Sequence, residues 1–228
     1  MERKISFAPG EYYHVYNRGV DKREIFLSDD DRNRFIKLLY VANGDKSFSY
    51  QRIQGVSLDK LDRGDRLVSI GAYCLMSNHF HLLIKEKEDG NISSFMEKLG
   101  TSYAMYFNRK YKRSGVLFQN TFKAEHVHRD EHLKYLYAYI HLNPVKMIEP
   151  EWKESGIRNL SKAKKYLERY DYSSYADYAM GRREESGILS PDEFPDYFEE
   201  RGDFDCFVDD WLNFKDEKED ADISVQGR

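Results

Sequence analysis

The feature that most constrains the fold is a pair of apolar segments joined by a two-residue turn. Residues 67–76 are apolar and partly β-branched, residues 77–78 are the turn pair Ser-Asn, and residues 79–85 resume an apolar strand pattern. Two such runs separated by a short polar turn are typical of a β-hairpin. The sequence therefore predicts an antiparallel strand pair centred on the turn at residues 77–78.

Hydrophobic periodicity predicts further elements on both sides of this hairpin. In chain order they are a strand at residues 12–16, a helix after Ser28, the hairpin, a helix capped by Asn91 or Ser93 and running to about Lys112, a strand at residues 116–126, a helix from Asp130 that Asn143-Pro144 must end, and a basic helix at residues 161–169. The order β-α-β-β-α-β-α predicts an α+β fold, with a ferredoxin-like antiparallel sheet and packed helices. Residues 44–66 are polar with three glycines, which is typical of a mobile loop.

Charge is divided unevenly along the chain. The 228 residues carry a formal net charge of −4, but residues 1–170 carry +8 and residues 171–228 carry −12. A basic body with an acidic appendage is typical of a domain that binds a polyanion, although two ordinary solvated faces would give the same numbers. We predict a domain at residues 8–180 and an acidic, partly helical C-terminal extension at residues 181–228, partly disordered at its end.

The cysteines and apolar runs place the chain in a broad class. Cys74 and Cys206 form no Cys-x-x-Cys pair, so neither a disulfide framework nor a thiolate metal cage is indicated. No apolar run approaches the roughly 18 residues that a membrane-spanning helix needs, and the first residues do not resemble a secretory signal. We therefore expect a cytoplasmic protein in a reducing compartment, with no membrane partner.

Two His-x-His patterns are candidate metal sites. His79 and His81 leave the same face of a strand and lie roughly 6–7 Å apart at their bases, so they can converge on one ion. Two surface histidines on a half-exposed strand would look the same. The second pattern, His126 and His128 with His132 one helical turn later, is an alternative zinc site in a charged strand-to-helix junction.

The tyrosine-rich helix near residue 139 is the third candidate feature. Tyr139 and Asn143 are four positions apart, so they share one helix face, whereas Tyr137 and His141 point elsewhere. A phenol and an amide carbonyl on one face could offer a nucleophile and a neutral oxygen ligand to one ion. The alternative is a helix whose tyrosines only pack against the sheet.

These segments together carry a family resemblance. Residues 72–84 and 137–146 resemble the single-tyrosine HUH transposases, and more narrowly the REP-associated tyrosine transposases. Residues 13–19, 115–119 and 122–124 are similar to that subfamily as well, and the resemblance covers roughly residues 8–180. It implies an HUH endonuclease/transposase fold.

The resemblance also implies a site and a reaction. His79, His81 and Asn143 would bind a divalent ion, Mg²⁺ or Mn²⁺, and Tyr139 would be the nucleophile. Many transposon-borne relatives have Gln at this position. The Asn143 of this chain instead fits the REP-associated group. The implied activity is a transposase that cleaves and rejoins single-stranded, hairpin-flanked DNA through a 5′-phosphotyrosine intermediate, with no nucleotide cofactor. The partners would be hairpins of repetitive palindromic elements, and the unit would be a monomer or a homodimer.

Basic and aromatic residues near these segments are candidates for DNA contact. The candidates are Arg18, Tyr16, Lys123, Arg109, Lys112 and Arg113. Three other functions stay open: an HUH nickase, a non-catalytic hairpin-DNA-binding protein, and a zinc hydrolase built on the second histidine pattern. Only the first two share the resemblance.

Overall fold

The structure, a computed structural model, describes residues 6–152, 156–181, 183–198 and 201–213. Four strands form one antiparallel sheet in the order β2-β3-β1-β4: β1 (Tyr12–Arg18), β2 (Val68–Leu75), β3 (His79–Glu86) and β4 (Lys123–Val127). The helices are α1 (Asp29–Val41), α2 (Tyr50–Ile53), α3 (Asn91–Lys110), α4 (Asp130–Leu142), α5 (Leu160–Glu168), α6 (Tyr175–Ala179) and α7 (Arg201–Asn213). The predicted ferredoxin-like α+β fold is confirmed.

The sheet is covered on both faces, by different helices. On one face, Phe80 and Leu82 of β3 belong to a core cluster that includes Phe35 of α1 and Phe95 of α3. On the other face, side chains of β2, β3 and β4 pack against α4. The predicted hairpin β2–β3 is therefore buried on both sides, and β3 carries its two histidines toward α4.

Two boundaries differ from the predictions. The strand predicted at residues 116–126 is wrong at its start, because β4 begins at Lys123. Leu117 is buried, but its carbonyl oxygen accepts a hydrogen bond from Val20 N at 2.9 Å in a loop that crosses the end of β1. The N-cap of α3 is Gly90 with φ of 84°, and neither Asn91 nor Ser93 caps it.

The segment predicted as a mobile loop at residues 44–66 contains local structure. It holds α2 and a 3₁₀ turn, Leu58–Lys60, and the side chains of Ile53 and Leu58 are buried. The Arg63 guanidinium lies 3.9 Å from the centre of the Tyr40 ring. The segment therefore packs against α1 rather than extending away from the sheet.

The described part of the C-terminal extension packs against the body. Phe204 and Val208 of α7 are fully buried and share a cluster with Leu142 and Tyr175. Phe194 packs beside Tyr137 of α4, with ring centres 6.1 Å apart. The predicted acidic, disordered end at residues 214–228 lies outside the described residues. No helix in the described ranges is long and apolar enough to span a bilayer.

A buried aspartate joins α1 to the end of α3. Ser28 and Asp31 form the capping box that begins α1, and Asp31 is fully buried. Its carboxylate accepts hydrogen bonds from Tyr106 at 2.8 Å, Lys110 at 2.7 Å and Tyr111 at 2.7 Å. Burial opposes the charge, but these hydrogen bonds outweigh it and hold the pKa of Asp31 below its ordinary value.

Asp31→Asn is expected to destabilise the fold by about 3–5 kcal/mol, because it leaves the Lys110 charge without its buried partner. Asp30→Asn is the matched control: Asp30 is 86% exposed, and its loss should change the free energy of unfolding by less than about 0.5 kcal/mol. Urea unfolding measures both. Since the pKa is lowered on folding, the Asp31 contribution is full above the unfolded-state value of about 3.9 and is lost as the pH falls through the lower folded-state value, so acid should erase the difference between Asp31→Asn and wild type.

Candidate active site

The site lies on the face of the sheet that α4 covers. In the β1–β3 register, His81 is opposite Tyr16 and His79 is opposite Arg18. Because side chains opposite each other in an antiparallel pair share a face, all four project toward the α4 side. The ring centres of His79 and His81 are 4.9 Å apart, so the two predicted ligands lie together as the strand alternation predicts.

The α4 helix brings the predicted nucleophile to these histidines. The ring centre of Tyr139 lies 5.4 Å from that of His81 and 5.9 Å from that of His14, in edge-on contacts. Tyr137, two positions earlier, is buried on another face of the helix. The helical periodicity therefore separates Tyr139 from the tyrosine that only packs.

Asn143 holds the end of α4 beside Tyr139. Its Nδ2 donates to the main-chain oxygen of Tyr139 at 2.9 Å, and the residue is 4% exposed. Burial raises the pKa of Tyr139 above its ordinary value, and a side-chain hydrogen bond with Asn143 partly lowers it. If Asn143 binds a cation, the ligand atom must be Oδ1, because Nδ2 is a donor.

Both histidines are anchored through the same ring nitrogen. The Nδ1 atom of His79 donates to Asn78 Oδ1 at 2.6 Å, and the Nδ1 atom of His81 lies 2.9 Å from Nε2 of His14. Histidines that bind metals usually donate one ring N–H to a supporting group and use the other nitrogen as the ligand. Two such imidazoles with an amide oxygen fit a divalent ion of the Mg²⁺ or Mn²⁺ type only with added phosphate or water oxygens.

Two residues of the site, His14 and Glu125, were not predicted from the sequence. His14 is 7% exposed, and its Nδ1 lies 3.8 Å from Glu125 Oε2, an ion-pair distance rather than a short hydrogen bond. The Tyr16 hydroxyl donates to Glu125 Oε1 at 2.8 Å. His14 is the main cause that holds the pKa of Glu125 below its ordinary value, so the carboxylate is ionised. The alternation of His14 with Tyr16 along β1 indicated that the two side chains share a face. The register between β1 and β4, which brings Glu125 to them, could not be predicted from the sequence.

The predicted DNA-contacting residues fall into two groups. Arg18, Tyr16 and Lys123 lie beside the histidines, with Lys123 Nζ 6.0 Å from the centre of the Tyr16 ring and Arg18 Nε donating to Gln119 Oε1. The others lie at the C-terminal end of α3, the helix that covers the opposite face: Arg109, Lys112 and Arg113. The described contacts do not join this second group to the histidine cluster.

The alternative zinc site is wrong. His126 is opposite Tyr13 in the β1–β4 register, so it faces away from α4, and its Nε2 lies 2.7 Å from Glu11 Oε2. His132 lies on α4, the helix packed on the other face, where burial lowers its pKa. Within the residues that the structure describes, no three His, Cys, Asp or Glu side chains converge in a way that could hold a metal ion.

The structure places two anchored histidines of β3 under α4, the helix that carries Tyr139, within the predicted α+β fold. Residues 63–143 match the family described as "Transposase IS200 like". The matched segment contains His79, His81, Tyr139 and Asn143, and it confirms the resemblance to IS200-like transposases. A role in DNA transposition is therefore supported for the part of the chain that forms the site.

The likeness to solved structures is weaker evidence than the family match. A structure of a REP-associated tyrosine transposase bound to a REP hairpin is similar at 13% identity and a TM-score of 0.46, covering 79% of this chain and 86% of that chain. A likeness at this level carries no conclusion about function. No curated protein matches the chain.

Proposed function

We propose that this protein is a metal-dependent DNA strand transferase of the IS200-like transposase type, and that Tyr139 is its nucleophile. The observation that carries the proposal is the position of Tyr139, whose ring centre lies 5.4 Å from His81, beside the anchored pair His79 and His81. The match of residues 63–143 to IS200-like transposases supports the same reaction class.

The first step would form a phosphotyrosine bond. The phenolic oxygen of Tyr139 attacks the phosphorus of a phosphodiester in single-stranded DNA, and the bond from phosphorus to the 3′-oxygen breaks. The phenol loses its proton and the departing 3′-oxygen gains one. The products are a 5′-phosphotyrosine on the protein and a free 3′-hydroxyl. A bound Mg²⁺ or Mn²⁺ would polarise the nonbridging phosphate oxygens.

The second step would reverse the first with a different DNA end. A 3′-hydroxyl attacks the phosphotyrosine, a new phosphodiester forms, and Tyr139 regains its proton. Because the covalent ester keeps the energy of the broken bond, this step requires no nucleotide cofactor. Asn143 would support both steps through its side-chain hydrogen bond with Tyr139, which offsets part of the effect of burial on the phenolate, whereas its bond to the main-chain oxygen of Tyr139 holds the end of α4.

The substrate would be single-stranded DNA flanking a hairpin. Arg18 and Lys123 lie on the same sheet face as the histidines and would contact phosphates, and Tyr16 beside them would stack on a base. Arg109, Lys112 and Arg113 would bind a more distant part of the same strand.

The proposal is tested by incubating the full chain with labelled hairpins that flank its own gene, with Mn²⁺ or with EDTA. A denaturing gel should show a Mn²⁺-dependent protein–DNA adduct, and mass spectrometry of the digested adduct should place the nucleotide on Tyr139. Hydrolysis without an adduct would overturn the proposal in favour of a nuclease. Binding without cleavage would overturn it in favour of a non-catalytic hairpin-binding protein.

A further inference from the structure

A chain of three side chains runs across the sheet to His81. The carboxylate of Glu125 on β4 faces Nδ1 of His14 on β1 at 3.8 Å, and Nε2 of His14 lies 2.9 Å from Nδ1 of His81 on β3. His14 and His81 are 7% and 5% exposed, so water cannot easily replace the contact between the two rings, whereas the Glu125 side chain is 36% exposed. His14 pairs with Glu125 on β4 and with Leu83 on β3. His81 lies two positions from Leu83 on the same face of β3.

The contact between the two rings has two possible hydrogen placements. A single hydrogen lies between His14 Nε2 and His81 Nδ1, and it belongs to one ring or the other. If it is on His81 Nδ1, then Nε2 of a neutral His81 carries a lone pair and can bind a cation. If it is on His14 Nε2, then His81 Nδ1 accepts it, and the hydrogen of His81 is on Nε2, which blocks that nitrogen as a ligand.

Glu125 selects between these placements. A carboxylate only accepts hydrogen bonds, so it favours a hydrogen on the nitrogen that faces it, His14 Nδ1. A neutral His14 then has its lone pair on Nε2 and accepts the hydrogen from His81 Nδ1. The Tyr16 hydroxyl donates to the other carboxylate oxygen at 2.8 Å and fixes the orientation of Glu125.

We propose that His14 is a positioning residue which, held by Glu125, keeps His81 in the tautomer with hydrogen on Nδ1 and the Nε2 lone pair directed to a divalent cation. His79 reaches the same tautomer by a local route, through Asn78 Oδ1 at 2.6 Å. The two ligands would therefore present the same ring nitrogen, one fixed within a turn and the other fixed through two neighbouring strands. This inference rests on the proposed function only in taking His81 as a cation ligand.

The test measures the tautomer directly, in metal-free and DNA-free protein with labelled histidine nitrogens. Long-range proton–nitrogen NMR at a pH where the rings are neutral should show His81 of the wild type with its hydrogen on Nδ1. In Glu125→Gln, Oε1 keeps the Tyr16 hydrogen bond, so the amide nitrogen faces His14 Nδ1 and donates to it. The chain of hydrogens should reverse, and His81 should carry its hydrogen on Nε2.

A second measurement is the affinity for Mn²⁺ alone, obtained from the electron paramagnetic resonance signal of the free ion. Glu125→Gln should weaken binding by about 10–100-fold, the usual effect of losing a group that supports a ligand. Tyr16→Phe is the matched control, because it removes a contact to the same carboxylate but keeps its charge, and it should preserve the tautomer. If Glu125→Gln does not fold, His14→Gln should give a mixture of His81 tautomers.

The inference is overturned if wild-type His81 carries its hydrogen on Nε2, or if the folded Glu125→Gln variant keeps the wild-type tautomer and Mn²⁺ affinity. Both measurements are made without DNA. Failure of the strand-transfer proposal would therefore appear as a missing adduct while wild-type His81 still carries its hydrogen on Nδ1. Failure of this inference would appear as either of the two overturning results with the adduct intact.

Discussion

Tyr139→Phe is expected to lower the yield of covalent protein–DNA adduct by roughly 10³-fold or more, the scale of loss when an enzyme loses its nucleophile. Phe keeps the ring that contacts His81 at 5.4 Å and removes only the oxygen that attacks phosphorus. Hairpin binding should therefore persist while cleavage stops. Adduct yield on a denaturing gel and binding by fluorescence anisotropy measure the two effects separately.

Tyr135→Phe is the control for this experiment. Tyr135 lies one turn earlier on the same face of α4, with its ring stacked on Tyr139 at 5.9 Å between centres. It loses the same atom at almost the same place, yet adduct formation should continue. An adduct that survives in Tyr139→Phe and disappears in Tyr135→Phe would show that Tyr135 is the nucleophile and that the assignment to Tyr139 is wrong.

Deletion of residues 190–228 is expected to unfold much of the domain rather than simply to remove negative charge. It takes away Phe194, Phe204 and Val208, which are buried against α4 and α6. Truncation of one buried Phe to Ala costs about 3–5 kcal/mol, so removing three buried apolar residues should exceed the stability of a typical domain. Thermal unfolding monitored by circular dichroism should show no cooperative transition near that of the full chain.

A charge test of the extension must therefore keep its apolar residues. Asp203→Asn with Asp210→Asn changes two exposed positions of α7 and leaves Phe204 and Val208 in place. If the acidic extension competes with DNA for the basic face, the double variant should bind hairpin DNA more tightly at low salt, and the gain should vanish as salt is raised. Equal affinity at low salt would instead make the extension a packing element.

Much of the fold was predictable because the deciding patterns are local. The alternation in residues 79–85 and the helical spacing of Tyr139 and Asn143 fix which side chains share a face, and each pattern extends over one element. The start of β4 was not predictable, since Leu117 is as apolar as a strand residue but reaches the core from a loop. Burial alone does not distinguish these two cases.

The site was predictable only as far as its motifs reach. His79, His81 and Tyr139 belong to patterns that a sequence displays. His14 and Glu125 meet because β1 pairs with β4 in one register, and a shift by one residue would place them on opposite faces. The alternation of side chains along β4 also excludes the alternative zinc site, because His126 and His132 are near in sequence but lie on opposite sides of the sheet.

The strand order has a consequence for when the site can form. The first strand of the chain, β1, is an inner strand, and its partners on either side are β3 and β4. The contact from His14 to His81 closes 67 residues of chain, and the contact from Tyr16 to Glu125 closes 109. Such long-range pairs cost more loop-closure entropy than the turn of a hairpin does, and contacts of this kind slow folding. During synthesis, His79 and His81 can pair with β2 as soon as the hairpin emerges, but Glu125, which completes the contacts behind His81, is added only after more than half of the chain has been made.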